Sequence, residues 1–186
     1  MQKLRSITGV QFSPAKEADD WASLTMMLRS PDVAYFLCHG EYDATSKTTY
    51  LRLGSGNRVS PDDLLGWAKL KPPDGPDLVS WKQRHPFIFI NGCHTSALKP
   101  GEIVSFVGCF SDLEAGGVLG TEISVLFPVA AEVGEFMFKE LADPAGPTVG
   151  EALRSVRWQL ANKGNLLGLA YTLYALADLH VVMAPI

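Results

Sequence analysis

The sequence predicts an α/β domain with a mainly parallel sheet covered by helices on both faces. Two observations carry that expectation. Val33–Cys38 and Phe87–Asn91 are short, continuous apolar runs of strand length, the composition of strands buried on both sides. Segments with helical spacing lie between and after them, and alternating strands and helices favour a parallel sheet. In such sheets, sites form at the carboxyl ends of the strands. There the first run stops at His39-Gly40 and the second at Gly92-Cys93.

Each element has its own signal. Residues 3–11 read as a short strand with β-branched alternation, and Ser13-Pro14 opens a helix to about Arg29, with Ala18, Trp21, Leu24 and Leu28 at helical spacing. After Val33–Cys38, Thr49 to Leu53 and the Gly54-Ser55-Gly56-Asn57 turn suggest a hairpin leading to Val59. Ser60-Pro61-Asp62-Asp63 starts a helix: a cap, a proline at the first helical position, then acids at the positive end of the dipole. A helix from about Gly101 presents Ile103, Val104, Phe106, Val107 and Phe110. Gly116-Gly117 break it, and Val118–Thr121 form a third short strand. Helices follow at about 127–141 and 149–162, the second with a Thr148/Glu151 capping box and a stop at Gly164. Leu169 to Ala175 and Leu179 to Met183 read as closing strands.

Composition narrows the function classes. The 186 residues suffice for one domain burying roughly 70% of its unfolded surface. A net charge of −4 without any Lys/Arg cluster argues against nucleic acid as a partner. No run reaches the ~18 apolar residues of a membrane span, and the N-terminus lacks a secretory h-region. Three cysteines in such a chain point away from a disulfide framework and toward a cytoplasmic protein with reduced thiols.

The candidate chemistry is nucleophilic. A thiol with pKa ~8.5 is mostly protonated at neutral pH, and an imidazole can take that proton and return it to a leaving amine. His39 and Cys93 each follow a buried strand, so adjacent parallel strands would bring both to one rim. Gly40 and Cys93 itself are the natural backbone donors to an oxyanion, and Gly92 lets the chain turn sharply to present the sulfur. Cys38 and Cys109 lie in apolar elements and read as core. His94 reads as a loop residue shaping the turn. His85 and His180 read as surface or packing residues, and Trp21, Trp67, Trp81 and Trp158 as core or groove packing. The Cys38-His39 and Cys93-His94 dipeptides raise zinc as an alternative, but neighbours on a strand point to opposite faces and the usual ligand spacings are absent. No phosphate loop or G-x-S-x-G elbow occurs. No cofactor is called for.

Phe36-Leu37-Cys38-His39-Gly40, Leu51-Arg52-Leu53, Val59–Leu64 and Ile90-Asn91-Gly92-Cys93-His94-Thr95 together resemble the CHAT family, caspase-like domains related to caspases and separase. Ala115–Thr121, Phe136-Met137-Phe138, Gly150–Arg154 and the tail Asn165–Tyr174 continue the resemblance, which covers residue 30 to the end. The His-to-Cys interval matches the ~50 residues between these groups in caspases. The resemblance implies a single caspase-like three-layer sandwich over 1–186. It implies a cysteine endopeptidase with His39 and Cys93 as dyad and Gly40 in the oxyanion role, acting on protein or peptide substrates, several relatives serving bacterial defence. Only 38 residues precede His39, fewer than the family usually carries, so the N-terminal part is expected to be missing, shortened or supplied by another chain. A regulatory partner, or a catalytically silent scaffold in a larger assembly, is the alternative. In caspase-like enzymes the P1 pocket lies beside the nucleophile strand and the end of the next. Asn91 and Glu122 occupy those places, favouring Arg or Lys at P1, although Glu122 could equally cap the following helix. Asp43 and Asp112 are weaker alternatives.

Overall fold

A computed structural model of the chain describes residues 24, 27–29, 31–53, 56–69, 81–93, 105–143 and 146–181. The strand expected over 3–11 lies outside them, as does most of the helix expected from Ser13. Leu28 N donates to Leu24 O at 3.0 Å, the i to i−4 bond of an α-helix.

In chain order the elements are β1 (Val33–Leu37), β2 (His39–Asp43), β3 (Thr48–Leu53), β4 (Asn57–Val59), α1 (Pro61–Lys69), β5 (Phe87–Asn91), α2 (Phe106–Asp112), β6 (Gly117–Thr121), α3 (Phe127–Leu141), α4 (Val149–Asn162), a 3₁₀ turn (Leu166–Ala170) and β7 (Tyr171–Ala175). The main sheet has the order β1-β5-β6-β7, with β1, β5 and β6 parallel and β7 antiparallel to β6. Strands β2, β3 and β4 make a small antiparallel sheet.

Period-2 alternation sorts the main sheet's side chains into two cores. Phe87, Phe89 and Leu119 pack with Val133, Met137 and Phe138 of α3 and Leu153, Val156 and Leu160 of α4. Ile88, Ile90 and Val118 pack on the other face with Leu64 of α1, Phe106 and Phe110 of α2, and Leu51, Leu53 and Val59 of the small sheet. Each fully buried Phe or Ile here is worth about 1.5–3 kcal/mol of transfer free energy. Helices therefore cover both faces, as the apolar runs require. Among the described residues no helix is long and apolar enough to cross a membrane.

The caps form as the sequence predicts. Asp63 N donates to Ser60 Oγ at 3.1 Å and Ser60 N to Asp63 Oδ2 at 2.8 Å. Thr148 and Glu151 make the reciprocal capping box, and Gly164 ends α4 with φ +74°.

Four boundaries differ from expectation. His39 opens β2 instead of ending a strand run, because Tyr42 and its neighbours pair with β3 although they carry no apolar alternation. Helix α2 begins only after Ser105, whose Oγ accepts from Gly108 N; residues 101–104 are outside the described set. Residues 166–170 form a 3₁₀ turn capped by the Asn165 side chain, so the closing strand starts at Tyr171. No strand forms over residues 179–181, where His180 makes an isolated bridge to Thr148; residues 182–183 are not described.

Candidate active site

Strand β5 is buried throughout, a continuous Phe-Ile-Phe-Ile-Asn run between two cores, and it delivers Gly92 and then the half-buried Cys93 at its carboxyl end. Beside it, β1 runs parallel in a register that sets Leu37 opposite Asn91. His39 and Cys93 each come two residues later, so the two chains leave the sheet at the same level. Tyr35 and Leu37 pack with the α3–α4 core, as do Phe87 and Phe89. Beyond the paired residues the chains diverge in structure: His39 opens the small sheet, and Gly92-Cys93 form a turn. His39 itself is exposed.

The turn after β5 is anchored from below. Asn91 is only 1% exposed, and its Nδ2 donates to Ala130 O at 2.6 Å and to the Tyr35 hydroxyl at 2.9 Å. Its Oδ1 accepts from the Tyr171 hydroxyl at 2.7 Å. Both amide protons and one oxygen lone pair are thus engaged inside the protein, joining β1, β5, β7 and α3. Expected beside a substrate pocket, Asn91 instead lies beneath the turn, because three distant polar groups claim its amide. The buried Thr121 hydroxyl donates to the Gly92 carbonyl, tying the end of β6 to the same turn. The Cys93 thiol points to the Val125 carbonyl, 3.8 Å away in the connection from β6 to α3.

Burial sets the protonation of the surrounding groups. The Cys38 thiol is pushed up to about 12 by burial, with Cys93 adding to the effect, and it stays a neutral core thiol packed against the α1–α2 side. Cys109, fully buried and donating to Pro61 O at 3.5 Å, is likewise pushed up to about 12 by burial and then by Asp112 and Asp62. Burial raises the Tyr35 hydroxyl to about 12 and the Tyr171 hydroxyl further, so both remain O–H groups able to hold the Asn91 network. All three cysteines are free.

Glu122 stands at the carboxyl end of β6, half-buried, with its N–H on Ala170 O at 2.8 Å and its Oε1 accepting from the Tyr174 hydroxyl at 3.0 Å. It does not cap the next helix: Leu126 is the N-cap of α3, without a side-chain bond. Gly40 lies in β2 opposite Leu51. Asp43 closes its own turn, its carboxylate lowered by the Thr45 and Ser46 amides, and Asp112 is exposed in the last turn of α2. His85 and His180 are exposed, and each holds a backbone carbonyl, of Glu114 and Gly146. His94 and Trp21 lie outside the described residues. Trp81 is core, its Nε1 donating to Leu28 O at 2.9 Å, and Trp67 packs half-buried against the same core. Trp158, expected in packing, is 64% exposed on α4 because it falls on the helix face away from the sheet.

The sequence reading missed Tyr35, Thr121 and Tyr171 as supports of the turn. A signal existed in each case: a hydroxyl placed in an apolar strand must find a partner once buried.

No family model matches the chain. It is similar to a protein from Vitiosangium sp. described as a probable protease, at 29% identity over 189 residues. That alignment covers 97% of this chain and 23% of the relative, so the chain spans about a quarter of the relative's length.

Proposed function

We propose that the chain is a caspase-like cysteine endopeptidase domain of the CHAT type, with Cys93 as nucleophile and His39 as general base. The register that sets Leu37 opposite Asn91 is the observation that carries this reading. Neighbouring strands run about 4.8 Å apart, so the two chains leave that pair side by side, each with its reactive residue two positions on, which supports a shared rim. The similarity to a probable protease over nearly the whole chain supports the same class.

In the proposed reaction His39 takes the Cys93 proton and the thiolate attacks a peptide carbonyl. The Gly40 and Cys93 amides receive the oxyanion. His39 then protonates the leaving amine, and water, deprotonated by His39, hydrolyses the thioester. Glu122, held at the end of β6, favours Arg or Lys as the P1 side chain. Substrates are proteins or unstructured protein segments, in a regulated proteolysis or bacterial defence setting.

A peptidyl acyloxymethyl ketone with Arg at P1 tests the assignment. The expected result is one equivalent of label on Cys93 and none on Cys38 or Cys109. Labelling of Cys93 no faster than of free cysteine would instead support a catalytically silent scaffold.

A further inference from the structure

The outer face of the small sheet carries a charged row beside His39. Residues paired across antiparallel strands share a face, and the register pairs His39 with Arg52 and Arg52 with Arg58. Glu41 and Tyr50, the next pair on that face, complete the row. The reverse face of β3 and β4 is apolar, with Leu51, Leu53 and Val59 buried, so alternation alone puts His39 and both guanidinium groups on one side.

Charges in the row do not balance. Glu41 Oε1 meets Arg52 Nη1 at 3.1 Å and Oε2 meets Arg58 Nη2 at 3.1 Å, so two cations share one carboxylate. The Arg58 guanidinium carbon also lies 5.7 Å from the centre of the Tyr50 ring, within cation–π range. Asp43, at the far end of the face, directs its carboxylate to the backbone amides of Thr45 and Ser46. Both arginine side chains are about half exposed, at 46% and 50%.

We infer that Arg52, backed by Arg58, is a carboxylate-binding subsite that selects substrates carrying Asp or Glu close to the scissile bond. The inference rests on the dyad reading, since it needs a peptide lying across Cys93 and His39. Such a peptide, on passing His39, meets Arg52 next, because side chains directly opposite on antiparallel strands have Cβ atoms about 4.5–5.5 Å apart. An exposed ion pair is weak, so an incoming carboxylate can displace Glu41 from Arg52 and gain a charge-assisted, two-point bond to the guanidinium. Glu41 then acts as a competitor that raises the threshold for weak anions. The subsite is separate from Glu122: β6 lies on the far side of β5 from β1, so acidic and basic substrate side chains would be read on opposite sides of Cys93.

The test uses the full chain and a panel of internally quenched peptides in which each of three positions on either side of the scissile bond is Asp or Asn in turn. The readout is the ratio of kcat/KM for the Asp peptide over the Asn peptide with the same enzyme preparation, so any loss of folded enzyme cancels. At one position the ratio is expected to be about tenfold or more. It should fall to about two or less in Arg52→Gln, recover in part in Arg52→Lys, and widen in Glu41→Gln, where the competitor is gone. Cleavage without preference for Asp at any position, or a preference unmoved by Arg52→Gln and Glu41→Gln, overturns the subsite and leaves the peptidase standing. Absence of both cleavage and Cys93 labelling overturns the peptidase and the subsite together.

Discussion

The Tyr171 hydroxyl donates to Asn91 Oδ1 at 2.7 Å, joining the last strand of the sheet to the residue two before the candidate nucleophile. The other side of the same amide holds Tyr35 and the Ala130 carbonyl, so one buried side chain ties together three strands and a helix. Removing a partner from such a group costs more than the bond itself contributes, because the remaining polar atom stays buried and unsatisfied. Tyr171→Phe should therefore destabilise the fold by about 1–3 kcal/mol in urea unfolding. A variant as stable as the parent would show that Oδ1 has another donor.

Gly134 shows how closely that network is packed. A methyl group at this position would overlap the Tyr35 hydroxyl and press on its ring. Gly134→Ala should cost about 1–3 kcal/mol, and adding Tyr35→Phe should recover part of the loss, since the phenylalanine removes the overlapping oxygen. A double-mutant cycle reads this as a coupling of that sign; purely additive losses would contradict the contact.

Cys93→Ala should abolish peptide cleavage while changing unfolding free energy by no more than about 0.5 kcal/mol, because the thiol's hydrogen bond is a weak one of 3.8 Å to Val125 O. His39→Ala, an exposed position, should lower kcat/KM by about 10²–10⁴-fold, the usual share of a general base. Retained cleavage in either variant would remove that residue from the dyad.

Thr121 supports the turn without touching substrate in the proposed mechanism. Thr121→Val removes the hydroxyl from the Gly92 carbonyl and lets the turn shift. The expected effect is a fall in kcat of about tenfold with KM little changed, as for a small misplacement of a reacting group. Thr121→Ser, which keeps the hydroxyl, should restore most of the rate. Equal loss in both variants would mean the methyl group matters and the hydrogen bond does not.

The pH dependence of stability follows from the buried thiols. Cys109 has its folded pKa raised from 9.0 to about 12, so the unfolded chain releases this proton first. Its stabilising contribution is complete below about pH 9 and is lost as pH rises from there toward 12, at a limiting slope of about 1.4 kcal/mol per pH unit. Urea midpoints measured from pH 8 to 10.5 should fall less steeply for Cys109→Ala than for the parent, whatever the offset caused by the smaller side chain. Parallel slopes would place the alkaline loss elsewhere.

Strands β1 and β5 were legible as apolar runs of strand length, and the candidate dyad rests on the reactive residue that follows each. The caps at Ser60 and Thr148 were legible for a similar reason, since their partners lie three residues away. Strand β2 was not, because His39–Asp43 is half-exposed and draws its order from pairing with Thr48–Arg52 rather than from an apolar pattern. Asn91 was read as facing a pocket because nothing near it in the chain shows that Tyr35, Ala130 and Tyr171 take its amide.

The amino-acid order alone therefore determined the apolar strands β1, β5 and β6, the capped helices, and that a histidine and a cysteine follow closely on two of those strands, since burial periodicity and capping act over a few residues. Tertiary structure alone decided that β1 and β5 are neighbours in a register with Leu37 opposite Asn91, that Asn91 points inward, and that Arg52 stands beside His39. Those facts depend on hydrogen bonds and packing between residues far apart in the chain, whose pairing no local pattern records.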